Sequence, residues 1–192
     1  MPRRGDVFAK GRYYHVFNRG VNRAPLFFSP DNYAHCLRLV KRYRDRYAVA
    51  VIAYCLMPTH YHFVLRQDAD SPLSRFVGAV FNAYVQVVNR QERRSGALFE
   101  GRFRHVWVDR EEYVVHLCRY VHLNPVAAGL VAYPWEWPYS NYLEWVGRRG
   151  GTLVDEAFIT ARFDDAENYE RYVLGWTGEA RVRGRLKRYL ME

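Results

Sequence analysis

This chain has no stretch long and apolar enough to cross a bilayer as a helix. Its longest apolar run, Tyr47 to Met57, has eleven residues, against the roughly 20 that a spanning helix needs. No apolar segment follows the opening Met1-Pro2-Arg3-Arg4-Gly5, so no signal peptide is expected. Cysteine is scarce. Cys36, Cys55 and Cys118 are odd in number, scattered and without CxxC spacing. That excludes a disulfide framework and a zinc knuckle, and predicts core thiols in a reducing cytoplasm. No repeat and no low-complexity segment is present. Acid is short relative to base, with 20 Asp and Glu against 29 Lys and Arg, a net charge of +9. Such a balance predicts attraction to a polyanion, nucleic acid first and an anionic membrane surface second, unless the charge is only a solvated coat.

What is present is a core-forming composition. Of the 192 residues, 49% are hydrophobic and 17% aromatic, with 16 tyrosines. The length suits one domain with an appendage. Arg12 to Gly20 alternates aromatic and polar residues and then meets Gly, the pattern of a first strand. Ser29-Pro30-Asp31 opens a helix that runs to about Tyr47. Ala48 to Leu56 is continuously apolar and reads as a central strand. Pro58-Thr59 breaks it, and His60 to Arg66 returns antiparallel, since the link is too short for a crossover. An amphipathic helix is expected from Ser71 to about Arg94, with Leu73, Phe76, Val77, Val80, Phe81, Tyr84, Val85 and Val88 as its buried stripe. A fourth strand ends at Val108. Asp109 with Glu112 has the spacing of a capping box, and the helix they open should stop or kink at Asn124-Pro125.

The order β-α-β-β-α-β-α predicts an α+β, ferredoxin-like sandwich. Its antiparallel sheet has four to five strands, with helices mainly on one face. The expected units are a domain over residues 1–146 and an extension over 147–192. The extension should carry one or two short helices in 154–176 and a basic tail from Arg181 to Arg188. Trp135 and Trp137 should pack back on the domain.

Two patterns carry chemistry. Residues i and i+2 of a strand share a face, so His60 and His62 project side by side and Tyr61 points away. Such a pair can share a divalent metal, or each ring can be half-buried and locally hydrogen-bonded. Sixty residues downstream, Glu112, His116, Tyr120 and Asn124 stand four apart on one helix, beside an apolar face of Val114, Leu117, Cys118 and Val121. That edge can present a phenol, an imidazole and a carboxamide to a site, with Asn124 offering an oxygen to a metal and Tyr120 a nucleophile.

His60-Tyr61-His62 after Met57-Pro58-Thr59 resembles the HUH motif (His, bulky apolar, His), with Tyr61 a departure in having a polar tip. Arg119-Tyr120-Val121-His122-Leu123-Asn124-Pro125, continuing to Val131, is similar to the long signature of the single-tyrosine HUH transposases. It is most similar to that of the REP-associated tyrosine transposases. Leu98 to Phe103 fits as well, and the similarity covers roughly residues 10–146. The resemblance implies cutting of single-stranded DNA beside a REP-like hairpin. Tyr120 would be the nucleophile that forms a 5′-phosphotyrosine. His60 and His62, with Asn124 as third ligand, would hold Mg²⁺ or Mn²⁺. His116 and Glu112 are accessory candidates. Arg90, Arg93, Arg94, Arg102 and Arg104 are candidates for phosphate contacts, with Arg3, Arg4 and the tail as further arms, and Tyr13, Tyr14 and Trp107 for base stacking. A monomer using Tyr120 in cis is favoured over a homodimer. The alternatives are a non-catalytic nucleic-acid-binding protein of the same fold, and a replication-initiator or relaxase-like nickase.

Overall fold

The computed structural model describes residues 8–70 and 72–176. Arg3, Arg4, Ser71 and the basic run 181–188 lie outside the described residues. Four strands, β1 (Tyr13–Arg19), β2 (Val49–Met57), β3 (His60–Gln67) and β4 (Arg104–Val108), form one antiparallel sheet in the order β2-β3-β1-β4. Helix α1 (Pro30–Arg44) joins β1 to β2, and α2 (Leu73–Gln91) joins β3 to β4. This is the expected α+β arrangement of two interlocked split β-α-β units. Both crossovers turn the same way, which puts α1 and α2 together on one face.

The chain places its third long helix, α3 (Glu111–Ala127), on the other face. Helices therefore cover both faces, where the sequence pattern led us to expect them mainly on one. The cause is visible in the strands. On one side Tyr14, Val16, Tyr54, Leu56, Tyr61, Phe63 and Leu65 pack under α1 and α2. On the other, Tyr13, Ile52, Cys55, Val64 and Val108 are equally apolar and meet Val114, Leu117, Cys118 and Val121 of α3. Two apolar sheet faces need two layers of cover.

Helix α1 begins at Pro30, at a position where the missing N–H has no intrahelical partner to lose. Asn32 ties it to its surroundings, accepting from the Phe28 N–H at 3.0 Å and donating to Gln91 Oε1 at 2.9 Å. The stripe expected on α2 is buried, and Tyr84 donates to the Leu26 carbonyl at 2.6 Å. Helix α3 departs from expectation at both ends. Arg110, not Asp109, is its N-cap residue, and no side-chain cap bond forms. Pro125 lies inside the last turn, where it removes one backbone donor without stopping the helix. The helix ends at Gly129, whose φ of +69° and N–H bond to Val126 O close the turn.

Strand β2 is an edge strand by hydrogen bonding, not the central strand its apolar run suggested. Continuous apolarity reports burial on two faces, not neighbours on two sides. Its outer edge is covered by residues 137–145. Leu56 N–H donates to Tyr139 O, the Trp137 and Trp145 indoles donate to Leu56 O and Ile52 O, and Asn141 Oδ1 accepts from Tyr54 N–H at 2.8 Å. Covering the edge in this way removes a template for aggregation.

Asn141 also donates to Ile52 O and Leu153 O, so its amide nitrogen is fixed. Its oxygen must then accept from His122 Nε2, at 2.9 Å, and His122 Nδ1 accepts from the Tyr169 hydroxyl at 2.7 Å. Tyr169 sits on α6 (Ala166–Leu174), which follows the short helices α4 (Tyr142–Trp145) and α5 (Glu156–Thr160). Residues beyond 147 thus place Phe158, Tyr169 and Val173 in the same core as α3. Among the described residues no helix is long and apolar enough to cross a membrane.

Two predictions concern the framework. Burial holds the His122 imidazole down to about 4, against the ordinary 6.5; burial lowers His62, His60 and His35 as well. The unfolded chain takes up these protons below about pH 6.5 and the native chain does not, so stability falls with acid from pH 6.5 towards 4. Urea unfolding across that range should show the loss, and His122→Gln should flatten its slope by up to about 1.4 kcal/mol per pH unit. Separately, Gly20 follows β1 and its N–H donates to Thr59 O at 2.9 Å. A Cβ there would overlap the Ala24 carbonyl oxygen. Gly20→Ala should cost about 1–3 kcal/mol in a denaturation midpoint comparison.

Candidate active site

Pairing between β1 and β3 decides which side chains meet. Arg19 lies opposite His60, Phe17 opposite His62 and His15 opposite Val64. Directly opposed residues share a face, so His15, Phe17, Arg19, His60 and His62 all face the α3 side. The hairpin that carries His60 is a two-residue loop, Pro58-Thr59, between Met57 and His60. It is pinned from outside, with Pro58 O accepting from Leu26 N–H at 2.7 Å. Tyr61 points the other way, as alternation requires, and stacks on Phe81 at 4.1 Å between ring centroids.

The two histidines stand edge to face with centroids 5.0 Å apart. His60 is half-buried, and its Nδ1 lies 3.1 Å from Thr59 Oγ1. Its imidazole also hydrogen-bonds Asn124; burial lowers its basicity and the Asn124 bond partly restores it. His62 is fully buried. Burial, with His15 and His60 as like-charged neighbours if protonated, holds His62 well below the usual imidazole range. Its Nδ1 meets His15 Nε2 at 3.0 Å, while its Nε2 is buried with no hydrogen-bond partner.

Helix α3 brings Tyr120 to this pair from the same chain. Its ring is edge-on to His62 at 5.6 Å and to His15 at 6.3 Å. One turn further on, Asn124 donates from Nδ2 to the Tyr120 carbonyl at 3.4 Å. The phenol, two neutral imidazoles and a carboxamide oxygen therefore converge. Two imidazoles and a carboxamide can together hold a divalent cation. The orphaned Nε2 of His62 is a ready ligand, burial keeps both rings deprotonated, and three ligands leave positions open. Among the described residues no group of three or more His, Cys, Asp or Glu could hold a metal.

Glu112 and His116 do not join this group. Each step of four residues rotates about 40° around a helix, and by His116 the edge has turned away from the sheet. His116 Nδ1 meets Tyr172 OH at 2.6 Å and Arg119 Nη2 at 3.0 Å, and exposed Glu112 pairs with Arg110 at 3.6 Å. These contacts, with the Arg119 guanidinium lying 4.2 Å from the Tyr172 ring and 3.8 Å from the Trp176 ring, lock α3 to the C-terminal segment.

The stacking candidates fare differently. Tyr13 is buried against Phe158 and Tyr14 is wholly buried, so neither offers a ring face to a base. Trp107 pairs with Tyr14, on the face away from the histidines, with Arg12 over its ring at 4.1 Å. Tyr13 and Tyr14 fail as stacking rings because both faces of β1 are covered, whereas Trp107 is only partly buried.

Arg104 lies opposite Phe17 on β4, hence on the histidine face. With Arg19, Arg102, Glu100, Gly101, Phe17 and Asn18 it lines a cavity of about 150 Å³. Glu100 forms a two-point ion pair with Arg19, and Asn18 donates to Gly101 O at 3.0 Å, which ties this loop to β1. Arg90 and Arg93 are exposed at the end of α2, and Arg94 donates to Ala97 O at 3.2 Å. They belong to the opposite layer and are not drawn into the cavity. His15 was missed from sequence. It had the signal, an H-x-aromatic alternation in β1, but only strand pairing shows that it meets His62.

Residues 9–124 match the sequence model of the family described as transposase IS200 like. A protein of Haemophilus influenzae (strain ATCC 51907 / DSM 11121 / KW20 / Rd), assigned as a REP-associated tyrosine transposase, is 25% identical over 109 residues. That match takes in 51% of this chain and 61% of the relative, so the chain spans less than two thirds of its length. The solved structure of a REP-associated tyrosine transposase bound to a REP hairpin is similar with a TM-score of 0.66 at 17% identity, covering 81% of this chain and 94% of that one. At that identity the likeness is one of fold. The family match spans more than half of the chain and includes His15, His60, His62, Tyr120 and Asn124, and the chain belongs to the IS200-like transposase family.

Proposed function

We propose that this protein nicks and rejoins single-stranded DNA beside a hairpin of the REP type, using Tyr120 as the nucleophile in its own chain's site. The observation that carries this reading is the placement of the Tyr120 ring 5.6 Å from that of His62, by a helix anchored to the same domain. The hairpin as substrate is inferred from the relative whose solved structure holds one.

The chemistry follows from the groups present. The Tyr120 oxygen attacks a backbone phosphorus and loses its proton. The P–O3′ bond breaks, the leaving oxygen becomes a 3′-OH, and the DNA is held through a 5′-phosphotyrosine. The phosphodiester energy stays in the covalent link, so rejoining needs no nucleotide cofactor. His60, His62 and Asn124 would hold Mg²⁺ or Mn²⁺, which polarises the scissile phosphate and offsets charge in the transition state when bound. Asn124 also fixes the backbone carbonyl of Tyr120, so one side chain orients both the nucleophile's turn and His60. Arg102 and Arg104, which line one cavity with the Glu100-paired Arg19, would take phosphates of the strand.

Incubation with Mn²⁺ and a labelled single-stranded hairpin should give a covalent adduct on a denaturing gel. Tyr120→Phe should give none while binding the same hairpin. A wild-type protein that binds hairpins but never forms the adduct would make this a binding protein only. Affinity should also fall with salt, by roughly 50-fold between 50 and 200 mM if four phosphates are contacted. The paired change Arg102→Ala and Arg104→Ala should make that dependence shallower.

A further inference from the structure

We infer that His15 is a positioning residue that sets the tautomer of His62, holding the proton on Nδ1 so that Nε2 presents a lone pair to the site. This rests on the reading of His62 as a metal ligand.

The geometry is specific. His15 lies diagonally across the β1–β3 pair from His62, one step along from Phe17, its direct partner. The rings are nearly parallel, 17° apart, with centroids at 5.2 Å, and both side chains are wholly buried. His15 Nε2 and His62 Nδ1 stand 3.0 Å apart. Two neutral imidazoles in that contact share one proton, which leaves two arrangements. In the first, His62 donates from Nδ1 to His15 Nε2, and His62 Nε2 is bare. In the second, His15 donates and the proton of His62 sits on Nε2.

Only the first arrangement makes a ligand. A metal takes a bare ring nitrogen, and which nitrogen is bare is set by the hydrogen bond the other one makes. The second arrangement would aim an N–H into the site from a buried atom that has no partner. Either form leaves a buried unmatched nitrogen, which costs free energy, but a cation repels the N–H and pairs with the bare nitrogen. An isolated neutral imidazole in water prefers its proton on Nε2, so the ligating form has to be enforced. An apolar ring at position 15 would fill the same space between Phe17 and Tyr120 and would not enforce it.

The test begins with the metal-free protein. Long-range ¹H–¹⁵N NMR of histidine-labelled wild type should show His62 protonated on Nδ1 and bare on Nε2; a proton on Nε2 overturns the inference outright. In His15→Phe that signature should shift toward Nε2–H. An unchanged signature also overturns it. His15→Gln places an amide oxygen where Nε2 stood and should keep the wild-type signature. Mn²⁺ affinity, read by electron paramagnetic resonance, should fall about 10- to 100-fold in His15→Phe and stay near wild type in His15→Gln. Equal loss in both variants would mean that position 15 serves packing alone and would overturn the inference. His62→Ala separates the two readings. If it binds Mn²⁺ as well as wild type does, the metal reading fails, while the wild-type tautomer still decides the role of His15.

Discussion

The site depends on one register, that of β1 against β3. Side chains alternate between faces with a period of two, so a slip of one residue would send His15, Phe17 and Arg19 under α1 and α2. Nothing in the site would survive such a slip. His62 would lose the ring beside its Nδ1, and Arg19 would leave the cavity it lines with Arg102 and Arg104. The register is held from both ends. Tyr14 and Val16 are committed to one core and Tyr13 to the other. At the far end Gly20 reaches the hairpin loop through Thr59, at a spot too tight for any Cβ.

A second constraint decides where Tyr120 goes. Helix α3 has little amphipathic contrast of its own because both its flanks are covered, one by the sheet and the other by α6. The His122–Asn141–Tyr169 group fixes its sheet-facing side without a spare donor or acceptor. On the outer flank the Arg119 guanidinium is held between the rings of Tyr172 and Trp176. The Tyr120 ring, borne on so firmly seated a helix, stands beside the histidines of its own chain, and the proposed use of that tyrosine in cis rests on this placement. The same two layers explain why the sheet tolerates histidines in its interior. Arg19, Arg102 and Arg104 gather where the end of β1 meets the start of β4.

Much of the fold was legible in the sequence. The order of elements, the stripe of α2 and the opposite facing of Tyr61 follow from periods of 2 and 3.6, which any strand or helix must obey. His60 and His62 are neighbours in one strand, and Tyr120 and Asn124 are one helical turn apart, so each pair was readable from spacing alone. What spacing cannot give is distance between elements. It did not reveal that β2 is an edge strand, since burial on two faces looks the same at an edge as in the centre when another segment covers the rim. It kept His116 and Glu112 with Tyr120, because an interval of four hides a drift of about 40° per step. It offered Tyr13 for base stacking, because alternation signals two faces without saying what covers each.

By itself the sequence determined the chemistry on offer: two imidazoles on one strand face, a phenol and a carboxamide on one helix edge, and an excess of arginine. These are local facts, set by covalent order and backbone period. Only the tertiary structure decided which of those groups meet. It set His15 against His62, His116 against Tyr172 and Glu112 against Arg110, and put Arg104 opposite Phe17 and Arg94 in another layer. Those outcomes depend on strand pairing and on which apolar face each helix covers, and both are settled by the packing of residues far apart in the chain.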